Sequence, residues 1–367
     1  MTKKGVWDLQ EVRDEYLAGN WSYSSAAKLF MWGRIAASGG QLAQNDNVQR
    51  SSPIQVPGTW TNNIAYDEFS TYALKADNTF WTWGYNYGDL GQNSTVSYSS
   101  PIQIPGTTWS KVGRARGSGY AIKDDGTLWA IGGKNDGGQL GQNSLISYSS
   151  PTQIPGTQWS FVTGGERQAF ALKTDGTLWA WGNNFYGGLG QNNRVGYSSP
   201  VQISGTWSHV SKQNDATFSG IKTDGTLWKS GYNIYGSQGT NDTVGRSSPT
   251  QVPGTWSKVE AGQNNVTTAT KTDGTLWSWG YNSFGDLGLN DAVGRSSPQQ
   301  IPGTQWDKPG PRGTAIKTDG TLWSWGQNSF GSVGDNSNVD RSSPTQIPGT
   351  WSLVDGNYTY LAIKTGA

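Results

Sequence analysis

Few side chains in this sequence could do chemistry, and their spacing argues against catalysis. The single histidine, His209, follows Trp207-Ser208 in a slot that comparable stretches fill with Lys111, Phe161, Lys258 or Leu353, so it reads as a surface side chain rather than a base or ligand. There is no cysteine, which removes disulfides, thiolate nucleophiles and cysteine metal sites together and leaves the redox compartment undecided. Aspartates recur at Asp77, Asp125, Asp175, Asp224, Asp273 and Asp319. One per repeat, they offer no paired carboxylates for acid and base work. No phosphate loop, nucleophile elbow or metal-ligand cluster occurs. The expectation is a protein with no catalytic residue, no cofactor and no metal.

What remains is a set of cations and aromatics suited to binding. The residue before each Ser-Ser-Pro is Arg50, Arg246, Arg295 or Arg341 in four copies and Tyr98, Tyr148 or Tyr197 in three. Once the repeats close into a ring, the arginine copies are contiguous and so are the tyrosine copies. A second set lies where the copies diverge: Asp67-Glu68, Arg114 and Arg116, Glu166-Arg167, Lys212 to Asp215, Gln263 to Asn265, and Asn357-Tyr358. The candidate partner-binding residues are therefore Arg50, Arg246, Arg295, Arg341, Tyr98, Tyr148, Tyr197, Arg114, Arg116 and Arg167, in the adaptable, aromatic-anchored style of binding surfaces. Duplication of neighbouring repeats and drift of surface loops would produce the same patterns without a function.

The elements that carry these residues are read from the repeat. Ser-Ser-Pro recurs seven times, with prolines at 53, 101, 151, 200, 249, 298 and 344, at spacings of 48, 50, 49, 49, 49 and 46 residues. A period near fifty belongs to propellers and solenoids. Each unit runs Ser-Ser-Pro-x-Gln-(Ile/Val), Gly-Thr-(x)-Trp, a variable stretch, Ala-(Ile/Leu)-Lys-x-Asp-Gly-Thr-Leu-Trp-x-Trp-Gly, an Asn-rich loop, and Gly-x-Leu-Gly. Asp-Gly between two apolar strand patterns predicts a two-residue hairpin turn at Asp125-Gly126 and its counterparts, with Asp77-Asn78 in the first copy. Of 20 tryptophans, seven follow Gly-Thr, six open the second hairpin strand and five precede its glycine; these eighteen read as core. Trp7 and Trp21 stand outside the repeat. In the sixth copy, Trp306-Asp307-Lys308-Pro309-Gly310-Pro311-Arg312 puts two prolines where a strand should run, so that strand is expected to be short or absent, a weak point or a docking notch.

The ends fix the topology. Leu29 to Gly33 is a second hairpin strand without its partner, and Tyr360 to Lys364 is a first strand without its turn. Pairing them closes the ring and removes free sheet edges from the circle. The fold class is all-β, a seven-bladed β-propeller over residues 28–367, closed by its N- and C-terminal strands. Residues 1–27 form a short N-terminal extension, predicted to be helical. Asp8 and Glu11 make a capping box and Val6, Leu9, Val12 and Tyr16 share a face. A helix this short is marginal alone, so Trp7, Leu9, Val12, Tyr16 and Trp21 are candidate attachment residues, docking on the ring or on another protein.

Composition supports this reading. Glycine at 52 of 367 residues is about twice the usual share. The 27 basic and 26 acidic residues cancel, so no net field draws the chain to nucleic acid or an anionic membrane. No apolar run of 18 residues and no leader pattern appear, so neither membrane insertion nor a secretory signal is expected.

The run Leu178-Trp179-Ala180-Trp181-Gly182-Asn183-Asn184, through Gly188-Leu189-Gly190, with Ser198-Ser199-Pro200 and Gly164-Gly165 before Ala169 to Leu172, resembles the repeat of the regulator-of-chromosome-condensation family. That resemblance implies a propeller whose relatives serve in nucleotide exchange on a GTPase, chromatin binding or enzyme inhibition. No exchange residue carries over, and one fold hosts many functions. The segment Gly5-Val6-Trp7-Asp8-Leu9-Gln10-Glu11-Val12, ending Ala18-Gly19-Asn20-Trp21, looks like short segments of bacteriophage tail-fibre and virion proteins. It implies a virion location and a virion component that contacts neighbouring subunits or a host surface molecule. The alternatives are a cytoplasmic regulatory module that binds a GTPase or an enzyme through one face, and a lectin-like carbohydrate binder, suggested by aromatic and Asn-rich loops.

Overall fold

A computed structural model describes residues 28–33, 35, 39–66, 69–165, 167–211, 217–261, 265–356 and 359–364. The proposed helix and attachment residues in 1–27 lie outside the described residues, as do Asp67-Glu68, Glu166, Lys212 to Asp215, Gln263-Asn264 and Asn357-Tyr358. The described strands form seven four-stranded sheets, arranged as the blades of a propeller. We number as blades 1 to 6 the sheets built on residues 60–104, 109–154, 159–203, 207–255, 258–301 and 306–347. Blade 7 combines residues 351–364 with 28–56.

Blade 7 is the closure that the broken ends require. Lys28–Gly33 pairs antiparallel with Thr359–Lys364, Leu29 opposite Ile363, Met31 opposite Leu361 and Trp32 opposite Tyr360. Two strands thus come from each terminus. The first strand of each blade, which starts at the Gly-Thr-Trp tryptophan or, in blade 5, two residues after it, lines the axis, and the Ser-Ser-Pro strand forms the rim. Proline is tolerated there because every Ser-Ser-Pro lies in a β-bulge of an edge strand. In blade 2, for example, Tyr148 pairs with Gly132 and Thr152 with Ala130, leaving Ser149 to Pro151 in the register shift.

The Asp-Gly turn differs from the sequence expectation. Gly126 N–H donates to Lys123 O at 2.9 Å and Lys123 N–H to Thr127 O at 3.0 Å, so three residues form the loop. Only Gly126, at φ 75°, is left-handed, which is the turn-plus-bulge hairpin rather than the two-residue form. Asp125 serves through its carboxylate, accepting from the Thr127 N–H at 2.9 Å and hydroxyl at 2.6 Å. The Thr127 hydroxyl oxygen accepts in turn from Trp129 Nε1 at 2.9 Å. The same chain of contacts recurs in blades 1 to 6.

Blades are joined by backbone hydrogen bonds at both ends of the strands. On the face carrying the Asp-Gly turns, the tryptophan N–H of the next blade donates to the turn glycine, as Trp207 to Gly176 O at 2.9 Å. At the rim, a left-handed asparagine donates to the next blade's serine, as Asn192 to Ser247 O at 2.9 Å. The core lies between the blades: the seven Gly-Thr tryptophans are buried, and so are Trp32, Trp83, Trp181, Trp279 and Trp325. The other six, such as Trp129, are half-buried beneath a lysine, Lys123 Nζ standing 4.3 Å from the Trp129 ring centre.

The sixth copy corrects another expectation. Its inner strand, Trp306–Gly310, is present and pairs with Thr314–Lys317. As the edge facing the axis it can hold Pro309 without losing a donor that the ladder needs. Since the ring closes through one strand pair, a chain ending at Gly356 should lose its cooperative unfolding transition or melt on the order of ten degrees lower. Thermal melts of the two chains check this, and an unchanged midpoint would refute the closure.

Candidate functional site

Three regions could carry function: the channel along the axis, the rim, and the face bearing the long loops. The channel, of about 280 Å³, is lined by Asn62, Lys111, Phe161, His209, Glu260 and Leu353 among others. His209 is therefore not a surface residue as the sequence suggested. It is half-buried in the channel wall, its Nε2 lies 3.0 Å from Val259 O, and burial pushes its pKa below the ordinary imidazole value. Neighbouring lysines are committed elsewhere, Lys258 Nζ to Asp307 Oδ1 at 2.5 Å and Lys308 Nζ to Ser352 O at 2.8 Å. Among the described residues no three His, Cys, Asp or Glu side chains group to hold a metal.

The most perturbed cation is one that the sequence reading passed over. Lys229 is 1 % exposed; it donates to Thr267 Oγ1 of blade 5 and lies 5.8 Å from the Trp279 ring centre. Burial alone brings its pKa down to about 7. Such depression is found in amine nucleophiles, but Lys229 is sealed between two blades with no room for a substrate. The available signal was its position in Leu-Trp-x-Trp-Gly, where other copies have Thr82, Ala130, Ala180, Ser278 and Ser324.

The two groups of candidate arginines behave differently. Arg114 is 1 % exposed and does not reach the surface. Its Nη2 meets Asp89 Oδ2 of blade 1 at 2.7 Å, and its guanidinium lies 4.3 Å from the Tyr72 ring centre. A charge at this depth needs its partner, so Arg114 is a blade-to-blade strut and not the surface contact residue that the sequence suggests. Arg312 approaches Asp286 in the corresponding place between blades 6 and 5, at 3.7 Å. Burial raises the Asp286 pKa against the pull of Arg312. Both aspartates stand in Gly-Asp-Leu-Gly, and in both cases the following copy supplies the arginine, a pairing visible in the sequence.

The rim arginines are half-buried and each holds its own loop. Arg50, Arg246 and Arg295 pair with the aspartate four residues earlier, Asp46, Asp242 and Asp291, at 2.7, 2.6 and 2.6 Å; Arg341 takes Asp335 at 2.7 Å. The tyrosine copies have Ser94, Ser144 and Asn193 at that earlier position. Tyr197 accepts from Asn193 Nδ2 at 3.0 Å, while Tyr98 and Tyr148 pack half-buried against their blades. The arginine arc is real, but its charge is cancelled locally. Arg116 and Arg167 are exposed and line a notch of about 390 Å³ with Lys134 and Asp136. Asp136 lies 3.2 Å from Arg167.

The loop face contributes what the sequence reading lacked. After the strand-ending glycine of blades 3, 4 and 5 come Asn183-Asn184-Phe185-Tyr186, Tyr232-Asn233-Ile234-Tyr235 and Tyr281-Asn282-Ser283-Phe284. Tyr186 meets Tyr232 edge-on at 5.0 Å, and Tyr235 meets Tyr281 at 5.0 Å, each contact crossing from one blade to the next. Phe185 is 66 % exposed and Ile234 53 %. The asparagines that suggested sugar binding are spent inside the loops. Asn184 donates to Asn193 O and Val195 O, both at 3.0 Å, and accepts from Leu189 N at 2.9 Å. Asn233 and Asn282 do the same.

With this geometry in place, four stretches, 125–172, 175–212, 273–307 and 319–353, match the Regulator of chromosome condensation (RCC1) repeat, and 162–187 matches a second form of it. The chain carries RCC1 repeats. No curated protein matches the sequence. Among solved structures, human WBSCR16 superposes with a TM-score of 0.80 at 18% identity, over 93% of this chain and 99% of its own. Prp20p from Saccharomyces cerevisiae, described with its binding to Gsp1p and histones, gives 0.79 at 18% over 94% and 93%. Yeast RCC1 (Prp20) with Kap60 bound gives 0.78 at 17% over 100% and 95%. At these identities the shared property is the seven-bladed RCC1-type fold.

Two outcomes follow. Replacing Arg114 with Met strands a buried Asp89 and should cost about 3–5 kcal/mol, whereas Arg246→Ser at the rim should cost under about 1 kcal/mol; denaturant titration of both variants checks the contrast. Lys229→Met removes a buried amine and should raise the melting temperature at neutral pH by a few degrees. The native pKa of about 7 lies below the unfolded value. Unfolding therefore takes up a proton between those two pH values, and the lysine's penalty, up to about 5 kcal/mol, shrinks as pH rises. The wild-type deficit relative to Lys229→Met should narrow from pH ~7 to pH ~10, and a pH-independent difference would count against the assignment.

Proposed function

We propose that this protein is a non-enzymatic regulatory propeller that holds one protein partner, of the GTPase or enzyme kind, against its loop face. The exposed, uncharged aromatic patch of blades 3 to 5 carries this reading. Exposed apolar groups clustered on one side of a ring mark an interaction site, and aromatic side chains supply the anchoring residues of protein interfaces. The RCC1-type structures similar to this chain support it, since those of Prp20p concern binding to Gsp1p, histones and Kap60. The virion reading rests on residues 5–21, outside the described residues, and no described feature favours it. The sugar-binding reading loses its asparagines to loop structure.

The experiment is crosslinking of the tagged chain in its native host, with partners quantified by mass spectrometry. A Phe185→Ser, Ile234→Ser double variant should melt like wild type, because both side chains are mostly solvent-exposed, and should lose the dominant partner about tenfold or more. An Asp125→Ser variant on the opposite face should keep it. Equal recovery by wild type and the double variant would remove the loop face from consideration.

A further inference from the structure

The tyrosine contacts of blades 3 to 5 have a chemistry specific enough to name what they grip. In the twelve residues 183–186, 232–235 and 281–284 there is no ionisable carboxylate or cation. Of the nearby charges, Arg246 with Asp242 and Arg295 with Asp291 are neutralised within their loops, while Arg194 of blade 3 is exposed. Blades 1 and 2 differ: there Lys134 Nζ stands 4.2 Å from the Tyr87 ring centre and Asp136 replaces the exposed apolar residue. A charged segment would find no partner among residues 183–186, 232–235 and 281–284 and would lose its hydration on docking against them.

A sugar is also poorly served. Sugar recognition needs fixed amide or carboxylate groups beside the stacking ring, and here the buried amides of Asn184, Asn233 and Asn282 are saturated by backbone. Asn183 Oδ1 accepts from Phe185 N at 2.9 Å. What the surface offers is a series of aromatic edges and faces, repeated once per blade: Tyr186 against Tyr232, then Tyr235 against Tyr281. Phe185 and Phe284 flank the series. Tyr186 and Tyr235 are both 43 % exposed. Such aromatic tracks receive polyproline II segments, whose rings pack on aromatic faces and whose carbonyls, unused by any internal hydrogen bond, accept from hydroxyls.

We infer that the tyrosine series of blades 3 to 5 is a docking track for an uncharged, proline-rich extended segment of the partner. This rests on the loop-face reading above and adds the chemistry of the occupant. The stiffness of the segment means little chain entropy is lost on docking, so a shallow surface without a deep pocket can hold it.

The test uses the full chain and fluorescein-labelled decaproline, followed by anisotropy. Saturable binding is expected, with an affinity that changes less than about twofold between roughly 0.05 and 0.5 M salt. Tyr235→Ala and Tyr281→Ala should each weaken it about tenfold. Tyr235→Phe, which keeps the ring and the fold, should fall between, and Tyr85→Ala in blade 1 should have no effect. Melting curves of every variant separate lost contact from lost structure. Failure of decaproline to saturate, equal binding by Tyr235→Ala with an unchanged melt, a steep fall with salt, or displacement of the probe by chitohexaose would overturn the proline track. Those results leave the loop-face reading standing if the Phe185→Ser, Ile234→Ser variant still loses its protein partner, so the two readings fail separately.

Discussion

In five of the seven blades the indole N–H of the tryptophan before the glycine that ends the third strand reaches back to a main-chain carbonyl of the preceding blade, and the ring depends on that contact. Trp83 donates to Gln41 O at 3.0 Å, Trp181 to Gln139 O at 2.7 Å, Trp279 to Ser237 O at 2.8 Å, Trp325 to Asp286 O at 3.0 Å and Trp32 to Ser332 O at 3.0 Å. The acceptor is the second residue of the Gly-x-Leu-Gly turn for Gln139 and Asp286, and of its counterparts Gly40-Gln41-Leu42-Ala43, Gly236-Ser237-Gln238-Gly239 and Gly331-Ser332-Val333-Gly334 for the other three. A tryptophan carries the apolar area needed to separate two sheets and one donor that must be satisfied when buried, so a single side chain sets both the spacing and the height of adjacent blades. The glycine two residues after the acceptor is left little room in four of these turns, a Cβ on Gly239 coming within 2.7 Å of Trp279 Nε1; in the fifth, Ala43 takes the position.

Where the tryptophan is missing, the neighbourhood changes to compensate. Blade 4 has Ser230 in its place, and Phe218 from the adjacent strand occupies the interface, 5.7 Å from Phe170 and 5.2 Å from Trp207. Blade 2 has Ile131, and Tyr72 of blade 1 fills the space; a Cβ on Gly119 would fall 1.9 Å from that ring. Close packing tolerates a lost volume only if another atom takes it. These exchanges explain why copies of one blade can diverge inside the core without loosening the ring.

The ring, its blade count and its closure were legible in the sequence, because they rest on periodicity and on the broken copies at the two ends, and periodicity survives substitution. The turn type was misjudged because Asp-Gly fits both a two-residue turn and a three-residue turn with a bulge, and only the hydrogen bond from Gly126 to Lys123 separates them. His209 and Arg114 were misplaced for another reason. The innermost strand alternates between the channel and the blade interface, and its sequence is too irregular to show which residues face which way. Lys229 sits between Trp228 and Ser230, and the repeat pattern alone does not show that this position is sealed between two blades.

Differences among the seven copies therefore divide into two kinds. Some are matched by a second difference that restores the packing or the charge: Ser230 with Phe218, Arg114 with Asp89, the rim arginines with Asp46, Asp242, Asp291 and Asp335. These are solutions to the fold, however suggestive the arginines look when read alone. Others have no matching change. Phe185 and Ile234 are exposed on the loop face where the same position is Asp136 in blade 2, Ser283 in blade 5 and Ser329 in blade 6. Little in the ring contacts them, and an exposed phenylalanine adds nothing to solubility. A repeat protein thus carries its own internal control: paired differences report structure, and the unpaired apolar ones that remain are where a partner has a reason to be.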